Sequence, residues 1–346
     1  MNCKAFNLGK SFMKVERKRS ENMIPFWKEY REIERLLEEV RLLMRSRLRI
    51  KNVELSKAVT EFSTHGGKMV RPALFFLFAG LGQPDKSAED LVKIASSLEL
   101  LHLATLIHDD IIDDSPTRRN FPTLQNQLGK DTAVYAGDFV YTVYFELLTE
   151  TMNGSMLLNH SAKSMKKVLM GELKQKDQTF KTDVEVYSYL TAIAGKTAEL
   201  ISLSCYQGAY FGNLDVTLQN LAHRIGRNIG LAFQIYDDIL NFSVDLNNEK
   251  PILTDVQQGV FTLPLLLARD KEPEKILPYM EQAENLSLND LYRLAELVKS
   301  SGGISDALAI AGRLTDKALA DIAKLPDGEN KKILVLATRK LLKRAY

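Results

Sequence analysis

Cysteine is nearly absent: Cys3 and Cys205 are the two in 346 residues. They lie far apart and form no metal-ligand spacing, so a reducing cytoplasm is the simplest setting. Charge of one sign is lacking too. Lys and Arg number 46 against 44 Asp and Glu, a formal net charge of +2, and bulk electrostatics therefore speaks for neither nucleic acid nor an acidic partner. No apolar run reaches the roughly eighteen residues a bilayer span needs, so no transmembrane span is expected. Alternating strand patterns are almost missing, and there is no low-complexity segment or fixed-period repeat. What is present is ordinary for a globular chain: 45% apolar and 26% charged residues, with enough length to bury a sizeable core.

Residues 1–22 differ from the rest. Lys4, Lys10, Lys14, Arg17, Lys18 and Arg19 outnumber Glu16 and Glu21 there, and no apolar stretch is long enough for a secretory signal. They read as a flexible basic extension, with Met23 as a natural start, or alternatively as a basic targeting arm; residues 23–346 read as a single domain. Helical spacing fills that domain. Helices are predicted from about Pro25 to Leu48, from Val53 toward Thr64, after Arg71-Pro72, from Ser87 through a long apolar stretch, and near 131–152, 160–180, 183–207 and 215–243, with shorter ones from 262 onward. The expectation is an all-α bundle of about ten or more helices walling a deep central cavity.

Two acid clusters end apolar segments. Asp109-Asp110-Ile111-Ile112-Asp113-Asp114 follows Leu98 to His108, and Asp237-Asp238-Ile239-Leu240-Asn241 follows Ile229 to Tyr236. On a helix Asp109 and Asp113 share a face, as do Asp237 and Asn241. Like charges at that spacing repel, and Pro116 sets the first cluster in a last turn, where the helix dipole disfavours anions. A solvated helix end explains one such cluster; two behind apolar helices point to a cation, and hard oxygen ligands point to magnesium shared with a substrate phosphate.

Cationic groups accompany the acids. Gly66-Gly67-Lys68-Met69-Val70-Arg71-Pro72 offers Lys68 as a point charge and Arg71 as a fork after a flexible glycine pair. Arg118-Arg119, Lys196-Thr197 and Lys250-Pro251 add further sites. Each alone reads equally as a surface turn. Together with the acids they imply two polyphosphorylated ligands, one held through metal and one directly. His102 and His108 sit on an apolar helix, where a hydrogen-bonded core histidine is the plain alternative.

The order of these pieces resembles the trans-type polyprenyl diphosphate synthases. It is carried by Gly67 to Pro72, Leu101-His102, His108 to Asp114, Arg118-Arg119, Pro122-Thr123, Gly137-Asp138, Gly195 to Ala198, Gln234 to Leu240 and Thr262-Leu263-Pro264. The nearest likeness is to long-chain bacterial enzymes such as the catalytic component of heptaprenyl diphosphate synthases. The resemblance implies that Asp109, Asp113 and Asp237 bind magnesium, three ions with substrate bound, with Asp110 and Asp238 in support. It implies that Arg118, Lys196, Thr197, Gln234 and Lys250 contact the allylic diphosphate, and that Lys68, Arg71, His102 and Arg119 hold isopentenyl diphosphate. The implied reaction makes a long-chain all-trans polyprenyl diphosphate for a quinone side chain, in a homodimer or with an accessory subunit.

Several positions depart from the family pattern. Asn241 stands where a third aspartate is usual, Val260 where lysine or asparagine follows Gly259, Asn120 in place of a glycine, and Glu249 and Thr254 in place of glycines around Lys250. Asp245, four residues past Asn241, could restore a carboxylate if the helix continued. These departures keep two other functions open: a weakly active or non-catalytic subunit that binds prenyl diphosphates, and a class I terpene cyclase, against which Lys68, Arg71 and Arg119 argue. The amphipathic basic stretch from Lys331 to Arg344 reads as a docked terminal helix, or as a peripheral contact with an anionic membrane.

Overall fold

Ser87 begins the longest apolar helix as its sequence implies: the Oγ accepts the amide of Asp90 at 3.1 Å, an N-cap that satisfies one of the free first-turn donors. The computed structural model describes residues 26–64, 67–242 and 253–342. The described chain is all-α apart from one small hairpin. It divides into two compact units, the first ending at Ser161 and taking in Ser204–Gln219, the second comprising Ala162–Leu203 and the chain from Asn220 onward.

The first unit holds α1 (Arg31–Arg47), α2 (Val53–Thr64), α3 (Val70–Ala79), α4 (Ala88–Ile112), α5 (Leu124–Leu128) and α6 (Lys130–Met152). Between α4 and α5, β1 (Thr117–Arg118) pairs antiparallel with β2 (Phe121–Pro122). Helix α4 runs antiparallel along α6: Lys93 meets Glu150 at 3.3 Å and His108 meets Asp138 at 3.3 Å. By length and hydropathy α4 alone among the described helices could cross a membrane, but 72% of that stretch is buried within the protein, as a core helix should be.

The boundary between the units falls inside α7 (Met156–Asp177), α9 (Glu199–Phe211) and α10 (Val216–Leu240). The second unit adds α8 (Val186–Ile193), a π-helical turn over Ala194–Ala198, and α11 (Thr254–Gln257), α12 (Leu263–Lys271), α13 (Pro273–Glu281), α14 (Leu288–Ser300), α15 (Gly303–Ile322) and α16 (Glu329–Leu342). The helix expected over 183–207 is thus present as one continuous run from Val186 to Phe211, with the π turn inside it. Its core joins Ile235, Ile239, Leu265, Leu266 and Leu294. Helix α16 packs on α15 and buries Ile333, Leu334, Ala337, Leu341 and Leu342, so its apolar face is taken up by docking.

Candidate active site

In the first unit the acid cluster forms where α4 stops. Asp109 is half-buried, Asp110 is buried, and Asp113 is the exposed C-cap. Arg118, on β1, curls back so that its Nε and Nη2 donate to Asp110 Oδ1 at 2.8 and 2.7 Å. Burial pushes the Asp110 carboxyl up, and the Arg118 bond opposes it. The bend after the cluster is clamped from α5. Gln125 Nε2 donates to the carbonyls of Asp110 and Ser115 at 2.8 and 2.9 Å, and Thr123 Oγ1 to Ser115 at 2.7 Å. The hairpin tip is left-handed, with φ of 53° at Arg119 and 62° at Asn120. Asparagine tolerates that region better than most residues, which accounts for its standing in a glycine's place.

A cationic group gathers in the same unit. Lys68 is fixed by the segment before α1: its carbonyl accepts Trp27 Nε1 at 2.6 Å and its ammonium lies 5.1 Å from the Phe26 ring centroid. Arg71 stands in the first turn of α3 and faces the charges of Glu99 and Arg119. His102 is half-buried on α4; burial, then the charges of Arg71, Arg119 and Arg118, hold its imidazole well below its ordinary range, so it is neutral at pH 7. His108 belongs to the helix packing instead. It stacks on Tyr141, its Nδ1 lies 3.0 Å from the Ala104 carbonyl, and a Cβ on Gly137 would come within 2.5 Å of its ring.

In the second unit the π turn presents Lys196 and Thr197, one extra residue per turn changing what the helix displays. Lys196 Nζ reaches Gln175 Oε1 at 2.9 Å and Glu172 Oε2 at 2.8 Å. Backbone contact makes this possible, since a Cβ on Gly171 would stand 2.3 Å from Lys196 N and one on Gly195 2.7 Å from the Lys167 carbonyl. A relay follows. Thr197 Oγ1 donates to Gln234 Oε1 at 2.7 Å, Gln234 Nε2 to Asp238 Oδ1 at 2.8 Å, and the buried Tyr189 hydroxyl to Asp238 Oδ2. Burial raises the Asp238 carboxyl to about 7 against these bonds. Asp237 is the more open of the pair, and partial burial raises its carboxyl as well.

Helix α10 stops at Leu240, and Asn241 Nδ2 donates to Asp255 Oδ2 at 2.5 Å. A second carboxylate there would face Asp255, which is a local reason for the amide. Lys250, Glu249 and Asp245 lie outside the described residues.

Sequence reasoning missed Glu99, Gln125, Tyr189, Gln175 and Glu172. Glu99 precedes His102 by three residues, a same-face spacing that could have drawn attention to it.

The sequence pattern of the polyprenyl synthetase family matches residues 52–296. A geranylgeranyl pyrophosphate synthase from Lactobacillus brevis has the same fold, with 36% identity, a TM-score of 0.89, and coverage of 93% of this chain and 100% of that one. A heptaprenyl diphosphate synthase from Staphylococcus aureus follows at 31% identity and a TM-score of 0.85, covering 91% and 99%. Component 2 of the heptaprenyl diphosphate synthase of Geobacillus stearothermophilus is 32% identical over 283 residues, 81% of this chain and 87% of the relative. The chain belongs to the polyprenyl synthetase family. It is a trans-prenyltransferase that condenses isopentenyl diphosphate with an allylic diphosphate.

Proposed function

We propose that this enzyme is a magnesium-dependent synthase of a long-chain polyprenyl diphosphate of about thirty to forty-five carbons, the precursor of a quinone side chain. Ala104 carries the length. It is fully buried on α4, five residues before Asp109, where an aromatic ring would block a chain growing down that helix face. The relatives' names divide on length: heptaprenyl diphosphate synthases favour a long product, geranylgeranyl pyrophosphate synthases a shorter one.

The residues present suit magnesium. Among the described residues no three His, Cys, Asp or Glu side chains form a metal cage, and magnesium favours one or two carboxylates completed by water and substrate phosphate. Asp109 with Asp113, and Asp237, would hold it, in three ions with substrate bound. There it would supply Lewis-acid stabilisation of the leaving diphosphate.

The side chains do the rest. Arg118, Lys196, Thr197, Gln234 and Lys250 bind and orient the allylic diphosphate, while Lys68, Arg71 and Arg119 hold that of isopentenyl diphosphate. His102, being neutral, contributes a hydrogen bond without a further charge. The allylic C–O bond breaks, its electron pair leaving with diphosphate; the isopentenyl π pair forms the new C–C bond; and the proton lost goes to the departing diphosphate, so no side-chain base is required.

Residues 23–346 act as one catalytic domain in the cytoplasm, while residues 1–22 lie outside the described residues. The enzyme works as a homodimer or with a second chain. Val134, Tyr135 and Phe145, exposed on α6, support an assembled form.

The decisive experiment incubates the pure protein with magnesium, labelled isopentenyl diphosphate and farnesyl diphosphate. Elongated chains are expected; a cyclic product rejects the reading, and no product from the pure protein rejects the homodimer in favour of the form with a second chain. Ala104→Phe is expected to shorten the product to about fifteen or twenty carbons, the ring filling the passage. Equally short products from both proteins would remove the length assignment.

A further inference from the structure

One half-buried acid near the cationic group of the first unit has no part in this reaction. Glu99 lies on α4 three residues before His102 and shares its face. Its Oε1 lies 3.9 Å from where a Cβ on Gly67 would stand, and Arg119 Nη1 lies 3.6 Å from the same point. Glu99, Arg119 and Gly67 therefore border one space. Arg71 adjoins it from α3, close enough for its charge and that of Arg119 both to act on Glu99. Two atoms here are enclosed and uncommitted: Arg71 Nε and Glu99 Oε2 have no hydrogen-bond partner.

Each charge in this trio is costly alone. Two guanidiniums brought close together repel, and the Arg119 charge acts on Arg71 in that sense. An isolated buried carboxylate is costlier still. Glu99 and the arginines offset one another while leaving a net positive site and a free guanidinium donor. An ionised carboxylate repels diphosphate, so a favourable effect of Glu99 on that ligand passes through the cations beside it.

We infer that Glu99 is a positioning residue for isopentenyl diphosphate, a counter-charge that holds the Arg71 and Arg119 forks in place to receive the diphosphate. The inference rests on the proposed assignment of those arginines to that ligand. Without Glu99 the two forks repel and must be reordered on each binding event, a cost that falls on one substrate only.

The test is steady-state kinetics of Glu99→Gln, Arg119→Ala and their combination, with circular dichroism as a check on folding. Glu99→Gln is expected to raise KM for isopentenyl diphosphate about tenfold, the scale of one charge-assisted contact, with KM for farnesyl diphosphate and the magnesium half-saturation unchanged. In the Arg119→Ala background it should add less than about twofold, since coupled residues are not additive. The same factor in both backgrounds, an equal rise in both Michaelis constants, or no rise overturns the inference. Should Glu99→Gln not fold, Glu99→Asp decides: keeping the charge, it should bind isopentenyl diphosphate within about threefold of wild type, and a larger loss overturns the inference. If Arg119→Ala leaves the KM for isopentenyl diphosphate unchanged, the pocket assignment itself fails, a result distinct from the failure of Glu99 alone.

Discussion

The acid clusters of the two units share a sequence form and settle their second aspartate in opposite ways. Asp110 is balanced by a full charge, two donors of the Arg118 guanidinium on one oxygen. Among the described residues Asp238 receives neutral donors, Tyr189 and Gln234, and burial raises its carboxyl to about 7. In both, the inward aspartate anchors the helix end while its neighbour, Asp109 or Asp237, remains more open to solvent. The two aspartates of each pair therefore do different work, and the inward one reveals how each unit deals with buried charge.

The sharpest way to break the comparison is to remove the outward aspartates. Asp109→Ala and Asp237→Ala are each expected to lower turnover at least about a thousandfold, the scale of losing a metal-held transition-state contact. Helical content should be retained, because neither side chain holds the core. If one variant keeps near-normal magnesium-dependent turnover, the clusters are not equivalent and its half of the assignment fails.

Next in size are the inward aspartates, which should separate by pH. The Asp238 carboxyl is raised from 3.8 to about 7. Between those values the folded protein keeps a proton that the unfolded chain has released, so this group's contribution to stability is full below about pH 4 and is lost as pH rises through 7. Asp238→Asn should flatten that part of the stability curve of the metal-free protein, by a few kcal/mol at most. Tyr189→Phe, removing a donor that lowers this carboxyl, should carry the decline above pH 7. Asp110→Asn should flatten the curve less, because Arg118 already opposes burial there. Urea titrations from pH 4 to 8 read these slopes, and identical slopes in the two asparagine variants would dissolve the distinction.

Much of this was legible in the chain, though unevenly. Helix α2 runs over the expected Val53–Thr64, and Ser87 caps α4, because both depend on local spacing and local hydrogen bonding. Asp109 and Asp113 fall at a helix end, as Pro116 implied. What escaped was set by distant partners. Tyr189 is 49 residues from Asp238, Gln125 is 15 from Asp110, and Gln175 is 21 from Lys196; no periodicity links such pairs. The π turn was hidden for another reason. Its residues, Ala194 to Ala198, suit an ordinary helix, and the close approach of α7 at Gly171 joins segments distant in sequence.

That approach gives a third test on the second unit. Gly171→Ala places a methyl 2.3 Å from Lys196 N, so α7 or the π turn must move. A loss of about 1–3 kcal/mol is expected, the usual cost of overpacking, with KM for the allylic substrate raised more than that for isopentenyl diphosphate. An Ala variant of full stability and unchanged kinetics would mean that the π turn does not depend on this contact.

The smallest expected effect lies at the position where the second cluster departs most from its family. Asn241 donates to Asp255, so Asn241→Asp exchanges a hydrogen bond for two carboxylates face to face. In chelator-treated protein this should cost about 1 kcal/mol, the worth of one such bond. Magnesium changes the sign of the argument. A cation held at Asp237 attracts the new carboxylate, since residues 237 and 241 are one helical repeat apart, although α10 ends at Leu240. Added magnesium should therefore recover the lost stability, and the half-saturating concentration for turnover should fall below that of wild type. Thermal melts with and without the ion, beside a magnesium titration of activity, measure both. If the destabilisation persists unchanged in magnesium and the titration does not move, position 241 belongs to the packing of α11 alone, and the amide is there to satisfy Asp255 and has no part in holding metal.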